Sequence, residues 1–453
     1  MPFVLPDGGP SPAGPLVVTI TLDDTHVDAG DSLTRLRRLV SPHVGVIRGF
    51  TQMMKEPHDS RLVSMACQLH RFSVSDERNS FVGHGPSLDH ALAAALGEAA
   101  ERHSIFGPPV DTPVLASARD IGAAAVSPSD FALFSDAQYD EPGFRYERFT
   151  DDARVCWVAG RRLPDGTPAF LPSQLVYMQE PDPAEVPIAY ATSSGAACAG
   201  TLAEAVLGAL LEVIERDAFM ITWRNRLELP RVRWRHLPRI AEFDDAYFAP
   251  SGLDYDVIDL SAIDDVPTML AVVRPAGRLE TYGIGLASAV APEQAWWRAL
   301  REAFASNGWL RYDVVHDPSF APPVAPSDVH GFGDHLFFFR DPERLGRLEF
   351  LTASSEASDL DEIPSVEGAD PWAVVDHLAS KLYEQGVDTY FAEITAPEIA
   401  AVGLHVVRVV APQLCAIDAE HRYRFLGASR LAERPIRLGY EPVSLNCDPH
   451  PMP

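Results

Sequence analysis

One apolar phrase is written three times along the chain: an Ala, then four residues later Ala-Leu-x-Glu. The copies are Ala91…Ala95-Leu96-Gly97-Glu98, Ala205…Ala209-Leu210-Leu211-Glu212 and Ala295…Ala299-Leu300-Arg301-Glu302. Residues three and four apart share a helix face, so each copy lays a small apolar stripe closed by a carboxylate two turns on. The pattern predicts helices over 88–104, 202–224 and 293–306, each preceded by a small-residue stretch such as Gly83-His84-Gly85 or Gly283-Ile284-Gly285. Another helix is predicted from Leu33, Leu36, Leu39 and Val40, with Ser32 as its N-cap, and another near 371–385.

Shorter apolar runs predict strands from Arg61 to Val82, at 154–160 and 167–178 joined by Pro164-Asp165-Gly166, at 254–261 and 267–274, and at 388–394 and 404–410. Pro-rich 313–329 and acidic, Ser-rich 353–371 read as loops. Residues 1–16 hold five prolines and three glycines and read as a loose arm. Strand and helix alternate without a strict βαβ order. The fold class is therefore α/β in the broad, mixed α+β sense, with the three repeats side by side. Spacings of 114 and 90 residues, from Ala91 to Ala205 to Ala295, are too long for a short-period solenoid. The organisation expected is an arm and helix start over 1–40 followed by one domain over 41–453.

The composition is that of a globular protein, with 46% hydrophobic and 22% charged residues. A net charge of -27 argues against nucleic-acid and anionic-membrane partners, although a local Arg or metal cluster can still hold phosphates. Cys67, Cys156, Cys198, Cys415 and Cys447 are scattered, with no C-x-x-C pair, and read as reduced thiols outside any zinc pattern. No signal peptide or membrane-length apolar run occurs, so a cytoplasmic protein is expected.

Two copies of the phrase continue as Glu-x-x-Glu-Arg, at Glu98, Glu101 and Arg102 and at Glu212, Glu215 and Arg216. Glu204 lies near the same face as the second pair. Such runs are usually solvated, salt-bridged faces. Here they interrupt apolar surface in three aligned copies, and bare carboxylates there would repel one another. A hard cation such as Mg²⁺ resolves the repulsion, and Arg102, Arg216 and Arg298 supply forked donors for phosphate. No P-loop, dinucleotide fingerprint, H-E-x-x-H or G-x-S-x-G is present. His70, His84, His103 and His405 stand alone, and Trp223, Trp296 and Trp297 read as core. The chain ends Pro449-His450-Pro451-Met452-Pro453, a stiff extended segment that could deliver its terminal carboxylate into a pocket.

These residues together resemble the YcaO family. Glu98-x-x-Glu101-Arg102, then Ser193-Ser194-Gly195 through Glu204 to Glu212, Glu215 and Arg216, then Gln294-x-x-x-Arg298-x-x-x-Glu302, are similar to its three ATP-binding motifs. The Pro449, Pro451, Pro453 tail resembles the signature of its azoline-forming branch. The likeness runs from about Val40 to the last residue.

The resemblance implies a YcaO-like fold, with three related helix units around a central nucleotide pocket. It implies an ATP- and Mg²⁺-dependent cyclodehydratase acting on a ribosomal precursor peptide. A Cys, Ser or Thr side chain attacks the preceding carbonyl, the oxygen is phosphorylated, and phosphate leaves to give thiazoline or (methyl)oxazoline. Glu98, Glu101, Glu204, Glu212, Glu215 and Glu302 would bind Mg²⁺ and ATP. Arg102, Arg216, Gln294, Arg298 and Ser32 would contact ATP, and the Pro453 carboxylate would act in proton transfer or shape the site, with Pro449 and Pro451 counted with it among the catalytic residues. Departures are Ala94 where Ser is usual, His84 where Lys is frequent, Ser194 where Asn is common, and Cys198-Ala199-Gly200 in the second loop. The implied partners are a leader-bearing peptide, a separate ubiquitin-activating-enzyme-like protein that grips the leader, and a flavin-dependent azoline dehydrogenase. A homodimer is compatible with the resemblance. Thioamidation and a non-catalytic accessory role are the alternatives, the first disfavoured by the proline tail and the second by the intact set of acids.

Overall fold

The computed structural model describes residues 29–70, 80–163, 165–274, 281–316 and 322–453. The predicted arm at 1–16 lies outside them. The helices that frame the site are α1 (Ala29–Arg37), α2 (Leu88–Ile105), α3 (Leu202–Asn225), α4 (Pro292–His316), α5 (Phe332–Phe338) and α6 (Pro371–Glu384).

Three sheets carry them. The first is β1 (Ile47–Gln52), β2 (Val63–Leu69) and β3 (Ser80–Gly85), antiparallel in chain order. The second begins its pairing at β4 (Val114–Ala116) and β5 (Val155–Leu163), with β6 (Pro168–Pro172) paired to β5, and reaches its far edge at β7 (Ala196–Ala199). The third contains β8 (Arg231–Arg233), β9 (Tyr255–Asp259), β10 (Thr268–Val273), β11 (Gly283–Ser288) and β12 (Ala357–Asp359), in the order β11-β10-β9-β8-β12. Strands β13 (Thr389–Glu393) and β14 (His405–Val410) complete the second sheet, whose order is β4-β5-β13-β14-β7.

The repeated phrase now has a structural cause. Each repeat helix follows an edge strand: β3 leads to α2, β7 to α3 and β11 to α4. In the first and third units, the strand backbone lies directly on the helix backbone. A Cβ on Gly83 would stand 2.2 Å from Ala91 O, and one on Gly285 would stand 2.2 Å from Ala299 O. Only small residues allow that approach from the helix side, and Ala91, Ala95, Ala99, Ala295, Ala299 and Ala303 are all fully buried. In the second unit the glycine is on the helix: a Cβ on Gly208 would stand 3.4 Å from the methyl of Ala197. The expected three helix units around a central pocket are thus present.

Local expectations fare unevenly. Ser32 is not an N-cap, because α1 starts at Ala29 and Ser32 lies within its first turns. Helix α4 continues to His316, well past the predicted end at 306, because Gly308 is tolerated within it and the next proline after Pro292 is Pro318. The 167–178 strand ends at Pro172, and Ser173–Val176 turns helical. The acidic loop at 353–371 contains β12, which pairs in parallel with β8. The hairpin turn is closed by Gly166 at φ 68°, whose N–H donates to Arg162 O. Pro164 of that turn lies outside the described residues. Trp223 and Trp296 are fully buried, and Trp297 nearly so. Among the described residues, no helix is long and apolar enough to cross a membrane.

Candidate functional site

Three helices bring their acids together. On α2, Arg102 stands 3.5 Å from Glu98 and 3.3 Å from Glu101. On α3, Arg216 repeats the arrangement at 3.4 Å from Glu212 and 3.2 Å from Glu215. Main-chain amides beside the helices then fix the carboxylates. Gly195 N–H donates to Glu212 at 3.1 Å, Ser288 N–H to Glu215 at 2.9 Å, and Leu286 N–H to Glu302 at 2.8 Å. An edge strand has N–H groups with no neighbouring strand to take them, and β11 spends two on glutamates.

The electrostatics show that these groups share one environment. Burial pushes the Glu101 pKa up from the ordinary 4.5 to about 8; Arg102 opposes this, and Glu212 and Glu98 add to it. Burial likewise raises Glu215 to about 7, against Arg216 and with Glu302 and Glu212. Glu302 is raised by burial too, opposed by Arg216. Glu212 therefore links the α2 acids to those of α3 and α4.

Sequence reasoning missed Arg408. It interrupts the apolar strand β14, donates to Thr192 O at 2.7 Å, and faces Glu212, Glu101 and Arg102. Burial lowers its pKa to about 10. A lone Arg in His405-Val-Val-Arg-Val-Val410 was the available signal. Five carboxylates (Glu98, Glu101, Glu212, Glu215, Glu302) thus meet four guanidiniums (Arg102, Arg216, Arg408 and, beside Glu302, Arg301), an excess of one negative charge when all are ionised. Arg216 Nε and Arg408 Nε are buried without a hydrogen-bond partner. Excess carboxylate beside unsatisfied guanidinium donors fits Mg²⁺ together with phosphate oxygens.

Glu204 does not join this cluster. It is the third residue of α3 and closes a capping box: Thr201 N–H and Oγ1–H donate to its carboxylate at 3.1 and 2.9 Å. Eight residues separate it from Glu212, about 12 Å of helix, so one ion cannot bind both. Ser32 lies at this same end. A Cβ on Gly200 would be 3.0 Å from Ser32 Oγ and 3.7 Å from the Glu204 carboxylate. Ser32 and Glu204 therefore flank a glycine cradle at one end of α3, with the acid cluster further along. Gln294 and Arg298 precede Glu302 by two turns and one turn on one face of α4.

At the neighbouring Gly-x-Gly strand, Lys55 Nζ donates to Ser64 Oγ at 2.6 Å, and Ser64 Oγ bonds His84 Nδ1 at 2.8 Å. Burial and the charges of Lys55 and Arg301 push the His84 pKa down to about 3. A lysine thus stands beside the position where this sequence has His. All five cysteines are free thiols. Burial and Glu98 push the Cys67 thiol up to about 12, and burial and Glu101 raise Cys198 as well, so both remain protonated beside the acids. A cleft walled by Tyr190, Val213, Cys415 and Phe425 has Arg216 and Arg408 in its lining.

The tail was expected as a stiff extended rod. It is extended, but Pro449 to Met452 are buried in the protein, and only Pro453 is partly exposed. Its path follows α3. Arg224 donates to Asn446 O and Asp448 O at 3.0 and 3.1 Å, Trp223 Nε1–H donates to Asp448 O at 3.3 Å, and the His450 ring meets Phe219 edge-on. Tyr282 OH, just before β11, donates to Leu336 O at 2.8 Å and lies 3.4 Å from Pro451 O.

A family model described as YcaO cyclodehydratase, ATP- and Mg²⁺-binding, matches residues 82–415. Among solved structures, a heterocyclase in complex with substrate and cofactor is similar at TM-score 0.75 and 24% identity, over 94% of this chain and 57% of its own. The heterocyclase TruD is similar at TM-score 0.61 and 24% identity, over 93% of this chain and 57% of its own. YcaO from Methanopyrus kandleri bound with AMPPCP and Mg²⁺ is similar at TM-score 0.60 and 18% identity, over 85% and 91%. The chain spans 57% of the length of each of those two heterocyclases, with which it shares a fold. With the family model covering most of its length, and its three acid-bearing helices inside that span, the chain belongs to the YcaO family of ATP- and Mg²⁺-binding cyclodehydratases.

Proposed function

We propose that this chain is the cyclodehydratase of a peptide-modifying system, converting Cys, Ser or Thr residues of a ribosomal precursor peptide to thiazoline or (methyl)oxazoline. The observation that carries this reading is the course of the tail, which lies along α3, the helix that also carries Glu212, Glu215 and Arg216. A proline tail running along the helix that bears the acids suits ring closure at a backbone amide. Mg²⁺ would be held by Glu98, Glu101, Glu212, Glu215 and Glu302. Arg102, Arg216, Arg298 and Arg408 would face phosphates, with Gln294 beside them and Ser32 and Glu204 at the far end of the nucleotide. When bound, ATP supplies the chemistry that makes the amide oxygen a phosphate leaving group.

The protein's own groups then have distinct tasks. The N–H donors of Gly195, Ser288 and Leu286 orient carboxylates that would otherwise turn away from one another. Arg216 and Arg408 line the cleft in which the modified residue would lie, the aromatic walls excluding water from the reacting amide. The Pro453 carboxylate would take the proton released at nucleophilic attack. A separate ubiquitin-activating-enzyme-like protein would hold the leader, and a flavin enzyme would oxidise the rings.

The purified protein, that partner and a leader-bearing peptide should together remove one water mass per ring with ATP and Mg²⁺. A peptide of unchanged mass refutes the activity. Removing Met452 and Pro453 should suppress ring formation while nucleotide binding persists; equal loss of both would assign the tail to folding instead.

A further inference from the structure

Outside the acid cage, His335, Asp418 and His450 are the group of His, Cys, Asp or Glu among the described residues whose ligand atoms all fall within 4.8 Å, and all three are buried. Their geometry is not that of a metal centre. The two imidazoles stack at 3.7 Å and 7°, and a metal must lie in the plane of every ring it binds, which two parallel stacked rings cannot share. Both His335 nitrogens moreover face carbonyl oxygens: Nδ1 lies 3.1 Å from His450 O and Nε2 3.0 Å from Ala419 O.

We propose that His335 and Arg224 are positioning residues that set the reach of the C-terminal carboxylate into the acid cage. Proline has no N–H, so Pro449, Pro451 and Pro453 cannot fix their register through backbone donors. The tail can be held only through its carbonyls, its two intervening residues and its side chains. The surrounding groups answer that need. Arg224 takes the carbonyls of Asn446 and Asp448, and His335 faces that of His450. Tyr282 OH, which donates to Leu336 O at 2.8 Å, packs 3.4 Å from the carbonyl of Pro451. The same Arg224 binds the Asp418 carboxylate at 2.7 Å, and the Asp418 carbonyl accepts His450 Nε2–H at 2.6 Å. Met452 is fully buried beyond them.

The contacts also give a direction. Tail residues 446, 448 and 450 meet Arg224, Trp223 and Phe219 in turn, so the tail runs antiparallel to α3. From Phe219 to Glu215 the helix rises about 6 Å, and to Glu212 about 10 Å. Three further residues in a polyproline geometry span about 9 Å. Pro453 therefore lies at about the height of Glu215 and Glu212 along α3. A slip of one residue at His450 would shift Pro453 by about 3 Å.

The catalytic consequence rests on the proposed cyclodehydratase reading; the clamp itself does not. The test uses the full chain with His335→Phe, which keeps the ring stack and removes both nitrogens, and His335→Gln, which restores a donor. Amide hydrogen exchange of His450 and Met452, read by mass spectrometry on the C-terminal peptide, should accelerate about tenfold in His335→Phe and recover in part in His335→Gln, while exchange in the core strands stays unchanged. In the cyclisation assay His335→Phe should lower kcat and leave KM for ATP in place. Unchanged tail exchange in His335→Phe overturns the clamp, as does acceleration throughout the chain. Stoichiometric zinc in the purified wild-type protein would replace it with a metal site. Should wild-type protein form no rings, the cyclodehydratase reading falls and the exchange data still decide the clamp.

Discussion

Glu101 and Glu215 hold their protons well above the ordinary carboxylate range because burial and neighbouring acids outweigh Arg102 and Arg216. Their folded pKa values of about 8 and about 7 exceed the ordinary 4.5, so the folded protein binds more protons than the unfolded chain between those limits. Stability from these groups is complete below pH 4.5 and is lost as pH rises through about 7 and about 8. The ligand-free protein should accordingly unfold at a lower temperature at pH 8 than at pH 6. Mg²⁺ with ATP should abolish that difference, because a bound cation favours the ionised acids. A midpoint that rises toward pH 8 without ligand would contradict the assignment of buried, repelling carboxylates. Glu212, which couples all three helices, is the residue whose loss should matter most. Glu212→Gln should reduce ATP-dependent turnover at least about a hundredfold, given the several kcal/mol a charged metal ligand contributes. Turnover within twofold of wild type would remove it from the site.

At the scale of elements, the repeated phrase was legible because helix packing demands it. A strand crossing at backbone contact needs Ala on the helix, and the carboxylate two turns on then lies at the end of the stripe. Gly285→Val would put side-chain atoms into Ala299 O and Ala303 N, both 2.2 Å from even a Cβ there. It should destabilise by about 1–3 kcal/mol or more, as overpacked cores do, read as a lowered urea midpoint. A neutral result would mean that the strand can lift away from α4. Features that depended on distant chain were hidden. Arg408 meets Glu101 and Glu212 only because β14 pairs with β7 beside α3; its own strand shows an odd charge but not the partners of that charge. Glu204 lay on the right helix face by periodicity, yet its carboxylate is engaged by Thr201 at the cap. The end of α4 was missed because the pattern was cut ahead of Gly308, which the helix tolerates, whereas the stop lies at His316, two residues before Pro318.

Across the whole molecule, α3 joins two functions. Its first turn carries the Ser32 and Glu204 cradle, its middle carries Glu212, Glu215 and Arg216, and its last turns hold the tail through Trp223 and Arg224. The proline tail was legible as a rod, but its burial was not, because the groups packed on it, Tyr282, His335 and Arg224, each lie more than a hundred residues away. The central claim is that this arrangement closes rings in a peptide backbone. The most direct measurement is the intact mass of a Cys-, Ser- and Thr-bearing precursor peptide after incubation with the protein, its leader-binding partner, ATP and Mg²⁺. The account predicts the loss of one water for each ring, dependent on ATP and abolished by Glu212→Gln. A peptide of unchanged mass, under conditions where ATP binding is verified, would contradict it.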